Sequence, residues 1–322
     1  MSPKISVVMS AYNSEQFLSQ TVQAILDQSF EDFEFIIIDD ASTDSTWGIL
    51  NQFSQADPRL RLFRNEKNIG PEGFIKNLNY GCSLAKGKYI ARIDHDDISR
   101  EDRFQLQFDF LENNPDIFIA GSALKKIDET GNNLGMMQPP ADNEKIREIM
   151  PKKISLYHPV IMFRNEFYNK FYREKIRCCE DYDFYLRIMT DNLKMANLAD
   201  CLLEYRILEK SMSRKQDKVI KNLFINKAKE FYYERIEKGT DSYDLFDPSD
   251  YLHIYDKHSK TLIKKAILVS RKYYDFAGFS KMLTLYAGYG KDLFYYGNKL
   301  ILSAGEPIFH RYATLLNKLG SK

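Results

Sequence analysis

Short apolar runs alternate with helical segments through the first hundred residues, and this alternation constrains the fold more than any other feature. Four runs have the length and the β-branched or aromatic content of strands: Ile5–Met9, Phe33–Ile38, Leu60–Phe63 and Tyr89–Ile93. The segments between them space their apolar residues three or four apart, as helices do, and Ser42 or Thr43 is predicted to cap the second helix. Such an order predicts an α/β fold whose parallel sheet is covered by helices on both faces.

Polar residues follow three of these runs at the point where each strand is predicted to end. The segments are Ser10–Asn13, Asp39–Ser42 and Asp94–Asp97. In open α/β sheets, ligands bind beyond the carboxyl ends of the strands. We therefore expect the three segments to line one crevice.

The remaining sequence predicts further elements and a change of architecture near residue 216. A helix over 102–111 precedes a strand at Ile117–Leu124, a hairpin with its turn at 129–132, and a second helix over 180–190. His158 is predicted to lie on a strand. From about Gln216 the pattern is helical, with a break at Pro248. The sequence thus predicts one domain over residues 1–215 and a helical C-terminal region over 216–322.

The charge of the chain is balanced overall but divided along its length. Lys and Arg number 46 against 45 Asp and Glu, a formal net charge of +1, which argues against a dedicated nucleic-acid binder. Residues 251–322 have a net charge of +8 and the first 250 residues a net charge of −7. Opposite signs in two regions suggest two different partners.

The four cysteines and the N-terminus predict a cytoplasmic protein. Cys82, Cys178, Cys179 and Cys201 form no CxxC pair, so reduced thiols are expected. The first residues lead straight into an apolar strand without the pattern of a signal peptide. The chain also has no apolar stretch near the roughly 18 residues that a spanning helix needs.

Three carboxylates crowd the segment Asp94-His95-Asp96-Asp97, and their mutual repulsion is costly unless a positive charge lies among them. Carboxylates two residues apart on a turn can both reach one hard cation such as Mg²⁺ or Mn²⁺, and such an ion stabilises a diphosphate leaving group. Asp97 can instead cap the next helix. The pattern predicts a metal site at Asp94 and Asp96.

Taken together, these segments resemble those of family 2 glycosyltransferases of the GT-A fold. Four segments show the resemblance, in this order: Ile5–Asn13, Asp39–Thr46, Tyr89–Asp97 and Cys179–Arg187. Asn113-Asn114-Pro115 and His158-Pro159 agree with it. The resemblance covers roughly residues 4–210. It implies a Rossmann-like, mostly parallel sheet and a metal-dependent, inverting transferase that uses a nucleotide-diphosphate sugar, most often UDP-linked.

The resemblance also implies roles for individual residues. Residues 1–97 form the nucleotide-sugar side and 98–215 the acceptor side. On the donor side the implied residues are Ala11, Tyr12, Asn13, Glu15, Asp40, Asn68, Gly70, Lys76 and Asp94. Asp96 is the principal metal ligand beside Asp94, and Asp181 is the catalytic base.

Other residues are candidates for the acceptor or the phosphates, namely His158, Glu180, Arg206, Lys210 and Ser213. Near Arg206, many members of the family have a histidine that helps to bind metal or phosphate. This chain has Leu208 near that position, which weakens the case for a third protein ligand to the metal.

Two other functions compete with glycosyl transfer, and one structural question stays open. A nucleotidyltransferase on a similar α/β fold would need a Gly-rich basic loop after the first strand, where Ser10–Asn13 stands instead. An inactive sugar-nucleotide-binding scaffold would not need Asp40, Asp94, Asp96 and Asp181 together.

Residues 251–322 combine basic charge with 13 aromatic residues, which suits either an anionic membrane surface or a helical packing domain.

Overall fold

The computed structural model describes residues 2–166, 171–209, 211 and 216–319, in which nine strands form one mixed sheet. The strands are β1 Ile5–Ala11, β2 Phe33–Asp39, β3 Leu60–Arg64, β4 Tyr89–Arg92, β5 Ile98–Ser99, β6 Ile117–Ile127, β7 Asn133–Met137, β8 Met162–Arg164 and β9 Lys194–Arg206. Their order is β3-β2-β1-β4-β8-β6-β9-β5, and β7 pairs with β6. Neighbours among β1–β4 are parallel, as predicted, whereas β8 runs antiparallel to β4.

Helices connect and cover these strands. In the first part of the chain they are α1 Leu18–Leu26, α2 Thr46–Ala56, α3 Pro71–Leu84, α4 Arg103–Asn113, α5 Asn143–Ile149 and α6 Glu180–Thr190. The core beneath them is built from alternate residues of β1 and β2, such as Val7, Met9 and Phe35, against Leu18 and Phe104. This arrangement fixes the carboxyl ends of β1, β2 and β4 at one edge.

Most predicted elements are present, including the hairpin and α6, but two local predictions were wrong. Ser42 and Thr43 do not cap α2, which begins at Thr46; Ser42 Oγ instead accepts the Asn13 N–H at 3.0 Å. His158 does not lie on a strand but begins a 3₁₀ turn, His158–Val160, because Pro159 has no N–H for a sheet ladder. The thirteen-residue β9 was not predicted as a strand.

Contacts divide the chain into two compact units. The first comprises Met1–Glu174 and Glu180–Ser211, and the second comprises Lys175–Cys179 and Met212–Lys322. The second unit is helical: α7 Lys218–Lys238, α8 Ser249–Leu252, α9 Lys260–Lys272, α10 Phe276–Ala287, α11 Leu293–Ser303 and α12 Glu306–Leu319. A break before Pro248 is present, because Gly239 ends α7 in the left-handed conformation.

Side-chain caps and an aromatic core hold the second unit together. Asp217, Ser259, Asp275 and Asp292 each accept backbone N–H groups at the start of a helix. Its fully buried residues include Phe224, Phe231, Ile263, Ile267, Phe279 and Phe309. None of the helices in the described ranges combines the length and apolar character needed to cross a bilayer.

Candidate functional site

Asp40 lies at the end of β2 and is clamped by two amide side chains. Asn65 Nδ2 donates to Asp40 Oδ1 at 2.6 Å, and Asn68 Nδ2 donates to Asp40 Oδ2 at 3.0 Å. Gly73 of α3 lies so close that a Cβ there would be 2.7 Å from Asp40 Oδ2. The buried carboxylate is therefore held in one orientation, and each of its oxygens keeps a further lone pair for a ligand.

The loop after β1 is tied to the loop after β2 through side-chain acceptors. Asn13 Oδ1 accepts the Thr43 N–H at 2.9 Å, and Glu15 Oε2 accepts the Ser45 N–H at 2.9 Å. Asn13 adopts a positive φ of 45°. Ala11 is buried at the strand end, whereas the Tyr12 side chain is 44% exposed. Tyr12 therefore presents an accessible aromatic ring at this edge.

The remaining predicted donor-side residues lie at the start of α3. Asn68 Oδ1 accepts the Gly70 N–H at 2.8 Å, so Asn68 joins this turn to Asp40. Gly70 precedes the helix with φ 70°, a conformation that glycine adopts without strain. Lys76 is partly buried one turn further along α3.

The acidic loop after β4 brings together Asp94, Asp96 and Asp97, whose carboxylate oxygens lie within 4.8 Å of one another. Burial, with the charges of its neighbours, raises the pKa of Asp97 well above its usual value. Asp97 Oδ1 accepts the Arg206 N–H at 2.9 Å, while its buried Oδ2 has no partner among the described residues. Burial also raises the pKa of Asp96.

These observations fit a hard divalent cation. A cation would remove the repulsion among three close carboxylates and satisfy the orphaned Asp97 oxygen. All the donors are oxygen atoms, which Mg²⁺ and Mn²⁺ prefer. The protein therefore offers the ligand type that the sequence predicts at Asp94 and Asp96.

Arg92, the last residue of β4, lies directly beneath this loop. Its Nη2 pairs with Asp94 Oδ1, and its guanidinium lies 5.6 Å from the centre of the Phe74 ring. The charge of Asp94 helps to raise the pKa of Arg92 against the opposing effect of burial. Arg92 is thus a permanent cation that orients one of the predicted metal ligands.

Arg206 supports the acidic loop from β9. Its Nε donates to the Asp96 carbonyl at 3.0 Å and its Nη2 to Gln20 Oε1 at 2.7 Å. The guanidinium also lies 4.4 Å from the centre of the Phe17 ring, and Nη1 reaches two carbonyls of the hairpin turn. The side chain is buried, so the structure gives it a supporting position beneath the loop.

Glu180 and Asp181 begin α6 and are both partly exposed. Burial, the neighbouring Asp181 and the more distant Asp94 raise the pKa of Glu180 to about 7, although Arg92 opposes the shift. Asp181 Oδ1 accepts the Tyr182 N–H at 2.7 Å.

His158 is buried next to Tyr172, and a 2.7 Å hydrogen bond joins its Nε2 to the Tyr172 hydroxyl. Burial and the charge of Arg92 hold the pKa of His158 well below 6.5, so its ring is neutral. Lys210 and Ser213 lie outside the described residues.

The structure thus brings the three predicted polar segments to one sheet edge. Sequence reasoning missed Asn65, Tyr172 and Tyr205. The carboxylates of the acidic loop contribute, after burial, to a raised pKa of Tyr205. Asn65 could have been found, because it directly follows β3 at the same edge of the sheet.

Comparison with known sequences gives matches over most of the first unit. Residues 6–174 match the family described as "Glycosyl transferase family 2". The uncharacterized glycosyltransferase MJ1057 of Methanocaldococcus jannaschii is 35% identical over 211 residues, which are 64% of this chain and 71% of that protein. The O-antigen biosynthesis glycosyltransferase WbnJ of Escherichia coli is 33% identical over 219 residues, which are 65% of this chain and 82% of that protein.

Solved structures show the same fold. S. aureus TarS 1-349 in complex with UDP-GlcNAc superposes with a TM-score of 0.61 at 16% identity, over 98% of this chain and 92% of that one. Mannosyltransferase PcManGT from Pyrobaculum calidifontis, in complex with GDP-Man and Mn²⁺, gives a TM-score of 0.53 at 13% identity, over 100% of this chain and 89% of that one. The predicted GT-A architecture is confirmed.

Proposed function

The chain belongs to glycosyl transferase family 2, and from this premise we propose that it moves a sugar from a UDP-sugar to a hydroxyl group of a glycan or lipid-linked acceptor. The transferred sugar is a hexose or an N-acetylhexosamine, and the product belongs to a bacterial surface polysaccharide. The O-antigen relative supports this setting. The observation with most weight is the cluster of Asp94, Asp96 and Asp97 after β4, at the sheet edge where Asp40 follows β2.

The nucleotide is bound, in this proposal, by the edge formed after β1 and β2. Asp40, held by Asn65 and Asn68, accepts a hydrogen bond from an N–H of the base. The exposed ring of Tyr12 stacks on the base, and Ala11, Asn13 and Glu15 shape the loop around it. Asn68, Gly70 and Lys76 face the ribose and phosphates from the start of α3.

Asp94 and Asp96 would hold Mn²⁺ or Mg²⁺. When bound, such an ion neutralises charge that develops on the departing diphosphate. Arg92 keeps Asp94 in place from beneath, and Arg206 fixes the loop backbone at Asp96.

Asp181 is the proposed base. It removes the proton of the acceptor hydroxyl while that oxygen bonds to the anomeric carbon on the side opposite the diphosphate. The bond between the sugar and the diphosphate breaks, its electron pair leaves with the phosphate oxygen, and the configuration inverts. Glu180 beside it has a pKa of about 7 and therefore keeps its proton at slightly acidic pH. His158, buried and neutral, is proposed to shape the acceptor side with Tyr172.

Residues 251–322 are proposed to bind a membrane surface. Their net charge of +8 suits the anionic inner face of a plasma membrane, where a cytoplasmic enzyme meets lipid-linked acceptors.

Two carboxylates at the start of α6 compete for the role of base, and a pair of isosteric variants separates them. We expect Asp181→Asn to keep UDP binding while it lowers transfer by roughly 10²–10⁴-fold. Glu180→Gln should stay active at pH 6, because glutamine resembles the protonated side chain that the raised pKa favours. Asp109→Asn, an exposed residue of α4, is the control. Loss of transfer in Glu180→Gln with activity retained in Asp181→Asn would overturn the assignment.

The metal assignment is tested by calorimetry of UDP with and without Mn²⁺. Mn²⁺ should strengthen UDP binding to the natural chain but not to Asp96→Ala. Equal UDP affinity under all four conditions would show that Asp96 binds no metal. A screen of nucleotide sugars for Mn²⁺-dependent hydrolysis then identifies the donor.

A further inference from the structure

Helix α11 has its apolar residues on the outside. Leu293 is 91% exposed, Leu300 is 73% exposed and Tyr296 is 58% exposed, whereas Asn298 is the one buried residue of this helix. Spacings of three and four residues place the three exposed side chains on one face of a helix with about 3.6 residues per turn. A surface helix normally turns such a face towards the core, so α11 has the reverse of the usual pattern.

Helix α12 also has apolar residues exposed on its outer face. Phe309 and Ala313 are buried, yet Ile308, Leu315 and Leu319 are each at least half exposed. Ile308, Leu315 and Leu319 lie seven and four residues apart, which again corresponds to one helical face. We name the six exposed apolar side chains of the two helices the outer stripe: Leu293, Tyr296, Leu300, Ile308, Leu315 and Leu319.

Basic side chains accompany the outer stripe. Lys299, Arg311 and Lys318 are all exposed on the same two helices. The acidic groups nearby are engaged: Asp292 pairs with Lys260 at 3.0 Å, and Glu306 lies 3.5 Å from His310. The two helices therefore combine exposed apolar residues with an excess of positive charge.

We infer that the outer stripe docks onto an anionic lipid bilayer, with α11 and α12 lying in the plane of the interface. The inference deepens the membrane partner of the proposed function and rests on it. Eleven and fourteen residues make helices of about 16 and 21 Å, shorter than the roughly 30 Å hydrocarbon core. The apolar side chains enter the headgroup boundary, while the lysine and arginine side chains meet anionic headgroups.

Charge favours a bilayer over a second copy of the chain as the occupant. A symmetric dimer places the same patch on both subunits, so the basic side chains beside the stripe would face one another. Like charges at an interface cost free energy, whereas anionic headgroups are attracted by the same side chains.

The test is flotation of the full chain with vesicles of phosphatidylcholine alone and of equimolar phosphatidylcholine and phosphatidylglycerol. Binding should require phosphatidylglycerol and weaken at high salt. The variant Leu293→Asp/Leu300→Asp should bind at least about tenfold more weakly, because two large apolar side chains no longer enter the interface. Leu245→Asp is the matched control, since Leu245 is 90% exposed in the same unit but lies outside the stripe.

A second pair of variants and one solution measurement decide the remaining outcomes. Lys299→Glu/Arg311→Glu should also reduce binding to anionic vesicles. Unchanged vesicle binding in both double variants would overturn the inference. So would sedimentation velocity showing a dimer that Leu293→Asp/Leu300→Asp converts to monomer while vesicle binding persists.

UDP calorimetry on the same variants separates this inference from the proposed enzymatic function. The outer-stripe variants should bind UDP as the natural chain does. A natural chain that binds UDP but no vesicle refutes membrane docking and leaves the transferase proposal intact. Binding of anionic vesicles without UDP binding supports docking and refutes the donor assignment.

Discussion

The guanidinium of Arg92 pairs with the Asp94 carboxylate from a side chain that is only 4% exposed. Two further nitrogen atoms of Arg92, Nε and Nη1, have no hydrogen-bond partner within the described residues. Burying a cation with unpaired donors costs free energy, which the pair with Asp94 offsets only in part. In the proposed metal site, Arg92 would hold Asp94 in position to bind the cation.

Replacing Arg92 with glutamine should weaken Mn²⁺-dependent UDP binding by at least about tenfold, since a charge-assisted pair contributes roughly 1.5–3 kcal/mol. Arg92→Lys should recover part of the affinity, because it keeps the charge but not the planar donor geometry. Isothermal calorimetry measures both values. Arg100→Gln is the control, as it breaks an exposed pair with Asp102 of small expected energy. Equal affinity in Arg92→Gln and the natural chain would contradict this role.

Two glycines inside helices should respond oppositely to alanine. Gly73→Ala places a Cβ 2.7 Å from Asp40 Oδ2, so the clamped carboxylate must move, and we expect weaker UDP binding. At Gly48 of α2 a Cβ meets nothing within 4 Å, so Gly48→Ala should raise stability by about 0.5–1 kcal/mol. Calorimetry and thermal denaturation of both variants provide the comparison. Unchanged UDP affinity in Gly73→Ala would show that the clamp is not part of the binding site.

His158 makes the fold sensitive to acid. Because burial holds its pKa well below 6.5, the folded chain keeps the ring neutral while the unfolded chain takes up a proton as pH falls below about 6.5. The unfolded state then binds more protons, so stability falls by up to about 1.4 kcal/mol per pH unit until the folded pKa is reached. Denaturant titrations between pH 7.5 and about 5 should show that the free energy of unfolding falls less steeply with pH in His158→Gln than in the natural chain. The exposed His253→Gln should behave as the natural chain does.

Arg206→Lys should be strongly destabilising. Lysine cannot reach the Asp96 carbonyl, Gln20 and the hairpin carbonyls together, so several hydrogen bonds of the guanidinium are lost, at about 0.5–1.5 kcal/mol each. Thermal denaturation measures the loss. A melting temperature within about 2 °C of the natural chain would contradict the supporting role.

The first four strands could be predicted because each is a short run rich in apolar residues, and β1, β2 and β4 are buried on both faces, as Phe35 to Ile38 illustrate. The long strand β9 could not be predicted from the sequence. Its middle includes the exposed residues Ala199 and Asp200, and its register with β6 shifts at Ser122 and Ala123, so no regular alternation marks it.

The site residues also differ in whether the sequence could predict their positions. Asp40, Asp94 and Asp96 follow recognisable strands, and their convergence follows from the parallel topology. Arg206 is on β9, so its position beneath Asp96 required the unpredicted pairing of that strand. The raised pKa of Glu180 was also out of reach, because it depends on burial and on Asp94, which is distant in sequence.

Arg206 also sets the order in which the acidic loop and its support are synthesised. It contacts Asp97 and Asp96 across separations of 109 and 110 residues. Because synthesis starts at the amino end, the acidic loop leaves the ribosome long before β9, the strand that secures it, has been synthesised. Contacts so far apart in sequence close slowly. The acidic loop is therefore secured only once about two-thirds of the polypeptide has been synthesised, because its support comes from Arg206.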